Sequence, residues 1–122
     1  MTIFKAVGQD SMSLCSVAVL LIPSILAAAD FPAKVTSIAD GDTLTVLVDR
    51  QQIKVRLDGI DCPESGQAYG QKAKLATSQL AFGKTVTIQS TGTDRYGRTL
   101  AHVLLPEGRS LNRELVRQGY AW

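Results

Sequence analysis

DGDTLTVLVDRQQIKVRLDGIDCPE, Asp40 to Glu64, sets two acid-rich turns around a pair of short runs in which β-branched and apolar residues alternate with polar ones. The alternation predicts two half-buried strands, Thr43–Asp49 and Gln52–Asp58, joined as a hairpin. A turn at Arg50-Gln51 would set Leu44 opposite Leu57, Val46 opposite Val55 and Val48 opposite Ile53, apolar against apolar. A slip of one residue would bring Arg56 opposite Leu44 or Val46 and break the buried face, so the parity of the register is fixed. This register places Thr45 near Arg56, and Asp42 near Gly59 and Asp61. Adjacent strands lie roughly 4.8 Å apart. The turns Asp40–Asp42 and Asp61–Glu64 therefore converge at one end of the sheet, with Arg56 just inside it.

Outward from the hairpin, turn residues recur at short intervals between brief apolar runs, as in a small β-rich domain. AKVTSIA is the first expected strand, TVTIQS the fourth and TLAHVLL the fifth. Two helices are expected. AYGQKAKLATSQLAFGK carries Tyr69, Ala73, Ala76 and Leu80 at helical spacing with Gly83 as its stop; SLNRELVRQG has Ser110 as N-cap, Leu111 and Leu115 on one face, and Gly119 as its stop.

With 122 residues, 45% hydrophobic and 20% charged, the composition is that of an ordinary globular chain, and nothing in it suggests disorder. Residues 1–29 stand apart: Lys5 is their only cation, SVAVLLIPSILAAA is an apolar core, and Ala27-Ala28-Ala29 offers small residues for cleavage before Asp30. This reads as a secretory signal peptide, with Met12 as an alternative start and an uncleaved anchor as the alternative fate. The expected domain is 30–122, exported to the periplasm or beyond the cell. A net charge of +2 permits a polyanionic ligand without arguing for one. Of two cysteines, Cys15 leaves with the leader, so Cys62 has no partner and a disulfide scaffold is excluded.

Converging carboxylates with no His or Cys array suit a hard cation with oxygen ligands, Ca²⁺ or Mg²⁺. Asp42 and Asp61 are the natural direct ligands, and the backbone carbonyl of Cys62, next to Pro63, is a third donor. Either turn alone would be read as a solvated turn; both together, beside a strand arginine, are not. His102, mid-strand, is expected to be packed or solvated. Arg56 alone would be expected to pair with Asp58, and Arg98 alone to be a turn-end surface cation.

DGDTLTV, nine residues, then RLDGIDCPE resembles the first signature of the staphylococcal-nuclease-like, or thermonuclease, family. DRYGRTLAHVL, Asp94 to Leu104, resembles its second, and VRQGYAW the segment that follows. Two separated motifs in the right order are a specific signal. The resemblance implies a mainly β fold with helices, a five-stranded OB-type barrel carrying two of them. It implies one Ca²⁺ ion on Asp42 and Asp61, with the Cys62 carbonyl as a backbone ligand and Asp40 acting through water. Glu64 is implied as general base, Arg56 and Arg98 as phosphate-binding arginines, and Arg95 and Tyr96 as contacts to a terminal phosphate.

The implied activity is hydrolysis of DNA and RNA to leave 3′-phosphate ends, by a monomer with no membrane association after leader cleavage. No protein partner is implied. The alternatives are a non-catalytic nucleic-acid-binding OB module, against which the intact acids and the want of an exposed aromatic series both count, and an inactive truncated fragment. The family ordinarily continues past VRQGYAW into a further helix bearing another substrate-facing tyrosine; the sequence ends at Trp122, which is what raises the alternative of a fragment or truncated gene product. Leu104 stands where the second motif more often has an aromatic.

Overall fold

Alternation decides the strands of the computed structural model, which describes residues 30–122; the expected signal peptide lies outside the described residues. Strand β1 spans Phe31–Asp40, β2 Thr43–Val48, β3 Gln51–Leu57, β4 Thr85–Thr93 and β5 Thr99–Leu104. Helix α1, Gly70–Ala81, lies between β3 and β4, and α2, Leu111–Arg117, follows β5. The strands close into a barrel in the order β1-β2-β3-β5-β4, with β4 returning to β1 through Phe31 opposite Ile88. Only β3 and β5 run parallel; every other pair is antiparallel. This is the five-stranded OB-type barrel with two helices expected from the sequence, and closure leaves it no free sheet edge. Val35, Leu44, Val46, Val55, Leu57, Ile88 and Val103 point inward and are buried.

The β2–β3 register differs from expectation by two residues, with parity kept. Leu44 lies opposite Val55, Val46 opposite Ile53, and Thr43 opposite Arg56. The buried face fixes parity, but the turn sets the register. The turn is Asp49-Arg50, not Arg50-Gln51, because Asp49 takes the left-handed conformation (φ 56°), which an aspartate tolerates better than most residues. The correction bears on function. Arg56 stands opposite Thr43 rather than Thr45, immediately beside Asp42, and Leu57 N–H donates to the Asp42 carbonyl at 2.9 Å.

Helix α1 buries Ala73 and Ala76 as expected, with Leu80 partly buried against the core, and adds Gly70, Thr77 and Ala81; of the expected stripe only Tyr69 is exposed. Tyr69 is the N-cap residue and stacks on Tyr120 with ring centroids 5.6 Å apart. The small stripe lets the helix approach the β1–β2 turn closely. In α2, Ser110 Oγ accepts from Arg113 N–H at 3.2 Å, and Leu111 and Leu115 are buried as expected. Its Asn112 is also buried. The amide accepts from Val103 N–H (3.0 Å) and donates to the carbonyls of Asp58 (3.0 Å) and Ala101 (3.3 Å), closing the space beyond the short parallel β3–β5 ladder.

Glu114 on α2 gathers Arg117, Gln118 and Arg109. Hydrogen bonds from Arg117 and Gln118 pull its pKa down to about 2, against 4.5 for an ordinary glutamate. A carboxyl with a depressed folded-state pKa stabilises the fold above its unfolded value, and that contribution fades as pH falls from 4.5 toward 2. Glu114→Gln should therefore be less stable than the parent in urea at pH 7, with the gap narrowing at pH 3. A gap of the same size at both pH values would mean that the charge of Glu114 is not what matters.

Candidate active site

Asp40 ends β1 and Thr43 begins β2, so Gly41 and Asp42 make the turn between them. A Cβ on Gly41 would lie 2.9 Å from Cys62 Sγ and 3.0 Å from Ala73 Cβ, so any side chain here would have to push Cys62 and α1 aside. Thr77 Oγ1 donates to the Gly41 carbonyl at 2.6 Å. The turn is fixed to the helix, and Asp42 is thereby held inside the protein.

The Asp42 side chain is 9% exposed, that of Asp61 61%. Asp42 Oδ1 accepts from Thr43 Oγ1 (3.0 Å), and Oδ2 accepts from Cys62 N–H (2.8 Å) and lies 3.4 Å from Arg56 Nη2. The same Nη2 donates to Asp61 Oδ1, while Nη1 donates to the carbonyls of Leu57 (2.6 Å) and Ile60 (2.8 Å). Arg56 thus bridges the two carboxylates expected as metal ligands, and its partner is not Asp58. Asp58 instead accepts from Thr91 Oγ1 at 3.0 Å and lies 4.0 Å from the exposed His102.

Asp40 Oδ1 accepts from Ser65 N–H at 2.9 Å and so anchors the loop that carries Glu64. Glu64 N–H donates to Gln67 Oε1 (2.9 Å), and its carbonyl accepts from Gln67 N–H (2.8 Å). A Cβ on Gly70 would come within 1.6 Å of that carbonyl oxygen, so helix α1 can start here only with glycine. The Glu64 side chain is exposed. Cys62 is buried, and burial with the neighbouring Asp42 charge pushes its thiol up to about 12. A thiol that stays protonated is not a nucleophile, so Cys62 serves the site through its backbone.

The second motif forms a tight turn. Asp94 Oδ1 accepts from the N–H groups of Tyr96 and Arg98 (both 2.9 Å), and Oδ2 accepts from Arg98 Nε at 2.7 Å. Desolvation works to raise the Asp94 pKa, but the backbone and side-chain hydrogen bonds from Arg98, with that from Tyr96, outweigh it and hold the carboxyl below its usual range. Nε of Arg98 makes the Asp94 pair, and its terminal nitrogens have no hydrogen-bond partner among the described residues. The Arg95 and Arg98 guanidinium carbons lie 5.1 and 5.4 Å from the Tyr96 ring centroid, within cation–π range.

One open cleft of about 390 Å³ joins the motifs: Arg56 and Asp61 line it together with Asp94, Arg95, Tyr96 and Arg98. Asp42 is buried outside the lining, behind Arg56. Asp40 and Glu64 are outside its lining, held on the adjoining turn and loop. Sequence reasoning missed the anchoring roles of Asp94, Thr77 and Asn112. Asp94 was open to discovery, since an aspartate two residues before Tyr-Gly makes an Asx turn. It also missed a backbone pairing in which Asp61 N–H donates to the Trp122 carbonyl (2.9 Å) and Trp122 N–H to that of Asp61 (3.0 Å). The expected want of exposed aromatics is corrected as well: Tyr96 is 69% exposed, and Tyr69 and Trp122 are exposed too.

Two oxygen-bearing acids that already share one positive group are a donor set suited to a hard cation. Among the described residues no three acidic, histidine or cysteine side chains converge as a ready-made cage. A cation here would rest on Asp42, Asp61 and oxygens from backbone or water.

A family model described as staphylococcal nuclease homologue matches residues 54–122. The chain is 45% identical over 113 residues to a micrococcal nuclease of Shigella flexneri, covering 86% of this chain and 65% of that protein. It is 46% identical to an uncharacterized endonuclease of Haemophilus influenzae, covering 84% of this chain and 60% of that one. It is 35% identical to the thermonuclease of Staphylococcus hyicus, covering 72% and 56%. The chain thus spans less than two thirds of the length of these relatives.

Proposed function

We propose that this chain, which belongs to the staphylococcal nuclease family, is an exported calcium-dependent nuclease that hydrolyses phosphodiester bonds of DNA and RNA, leaving 3′-phosphate ends. One observation carries the reading: two motifs far apart in sequence put Arg56, Arg98 and Asp61 into a single cleft. Phosphodiester hydrolysis needs positive groups against the phosphorus oxygens, where negative charge builds as the transition state forms, and a base for the attacking water. Arg98, held by Asp94 through Nε alone, offers its terminal nitrogens as a fork to two phosphate oxygens. Arg56 supplies the second guanidinium. Glu64 takes the proton from water. Arg95 and Tyr96, in the same cleft, contact the terminal phosphate of the bound nucleotide. A Ca²⁺ ion held by Asp42, Asp61 and the Cys62 carbonyl, with Asp40 acting through water, would polarise the phosphate and lower the charge barrier to attack. The enzyme works as a monomer.

The test is cleavage of a single-stranded oligonucleotide by the exported protein, whose first residue by N-terminal sequencing should be Asp30. Cleavage should appear with Ca²⁺, stop with excess chelator, and be lost in Glu64→Gln. A second reading, a nucleic-acid-binding module without catalysis, is favoured by the exposed Tyr96 with two guanidinium groups near its ring. Binding without cleavage, by a protein that unfolds cooperatively in urea, would select that module and sink the nuclease reading.

A further inference from the structure

The cleft does not end at Asp61. Its rim at Asp58, Gly59 and Ile60 is also the wall of a second hollow of about 250 Å³, completed by His102 of β5 and by α2. A third hollow continues from His102 and Arg113 to Arg109. The three adjoin in a row around one side of the barrel, each sharing residues with the next.

The middle hollow has the composition of a base site. Ile60 and the exposed Val116 give it apolar surface, while His102 and Asn112 stand at its polar edge. It is preformed. Asn112 is held by three hydrogen bonds, Asp58 N–H donates to Ala101, and Arg56 holds the Ile60 carbonyl. Beyond it the charges are unequal. Arg109 is bound to Glu107 and Glu114, and Arg117 to Glu114, whereas Arg113 forms no ion pair among the described residues. Arg113 is thus the cation on α2 left over for a ligand, and it faces both hollows.

Resting on the nuclease reading, we propose that the cleft continues into a second nucleotide subsite, in which the hollow between Ile60, His102 and Val116 receives one unstacked base of a single-stranded polynucleotide and Arg113 holds the adjoining phosphate. The occupant is a single strand because a duplex keeps its bases stacked and turned inward, out of reach of an apolar hollow. It is a continuous strand because the hollow shares its wall with the cleft that would bind the scissile phosphate. Such contacts add affinity for length without demanding a particular sequence.

The experiment is binding of fluorescent single-stranded DNA to the protein in chelator, where no cleavage intervenes, with a dinucleotide, a hexanucleotide and a duplex hexanucleotide compared over a range of salt. The single-stranded hexanucleotide should bind more tightly than the dinucleotide. Arg113→Ala should abolish most of that gain and flatten the slope of log affinity against log salt by about 0.7, the value for one phosphate contact on a single strand. Val116→Asp, at an exposed position that leaves the core untouched, should also reduce the gain. No change in gain or slope for either variant would overturn the proposal, as would an equal gain for the duplex. The two readings fail separately: length-dependent binding lost in Arg113→Ala, without cleavage in Ca²⁺, would reject the nuclease and keep the subsite, while cleavage with an unaltered length gain would do the reverse.

Discussion

Arg56→Ala is expected to lower kcat by about 10²–10³-fold, the usual cost of removing one charge-stabilising donor from a transition state. A second loss should accompany it. Arg56 ties the Leu57 and Ile60 carbonyls and lies between Asp42 and Asp61, so its removal leaves a buried Asp42 without its cation. Breaking a buried pair costs about 3–5 kcal/mol, and the Arg56 and Asp42 side chains, 18% and 9% exposed, are screened little enough for that range to apply. The comparison that separates the two effects is Arg56→Lys. An ammonium keeps the charge beside Asp42 but cannot span two carbonyls and two carboxylates, nor present a fork to phosphate. Arg56→Lys should recover much of the urea midpoint lost in Arg56→Ala while staying far below the parent in kcat. A lysine variant with parental kcat would reduce Arg56 to a structural brace.

Much of this site was legible because it depends on local pattern. Alternation in β2 and β3 fixed which face Arg56 occupies, and the two acid-rich turns flank a hairpin, so their convergence follows from chain connectivity. What escaped depends on shape and distance. The register turned on the left-handed conformation of a single residue, Asp49, which alternation does not reveal. In α1, apolar spacing found Ala73 and Ala76 but missed Thr77, buried by its bond to the Gly41 carbonyl, and Gly70, which the Glu64 carbonyl keeps without a side chain. Asn112 is polar on a helix; it is buried because β3 stops opposite Ala101 while β5 runs on, leaving backbone groups of Asp58, Ala101 and Val103 that need partners. The Asp61–Trp122 pairing joins positions about sixty residues apart, and nothing in either segment announces it.

Glu64→Gln should lower kcat by about 10²–10⁴-fold, the range for general-base assistance. It should do so with little change in stability. The Glu64 carboxylate is exposed and accepts no hydrogen bond from a described residue, so an isosteric amide disturbs nothing that holds the fold. What holds Glu64 is its backbone: Gln67 on its N–H and carbonyl, Asp40 on the next residue, and Gly70 beneath the carbonyl. Gly70→Ala should then lower kcat as well, because the added methyl must push the Glu64 carbonyl aside and carry the side chain with it. A general loss of stability would also lower activity, so the double variant decides. If Gly70 acts by placing the base, Glu64→Gln with Gly70→Ala should be no slower per folded molecule than Glu64→Gln alone, since there is no longer a base to misplace. Fully additive losses in kcat would show that Gly70 serves the site by another route, and a Glu64→Gln rate near that of the parent would remove Glu64 from the chemistry.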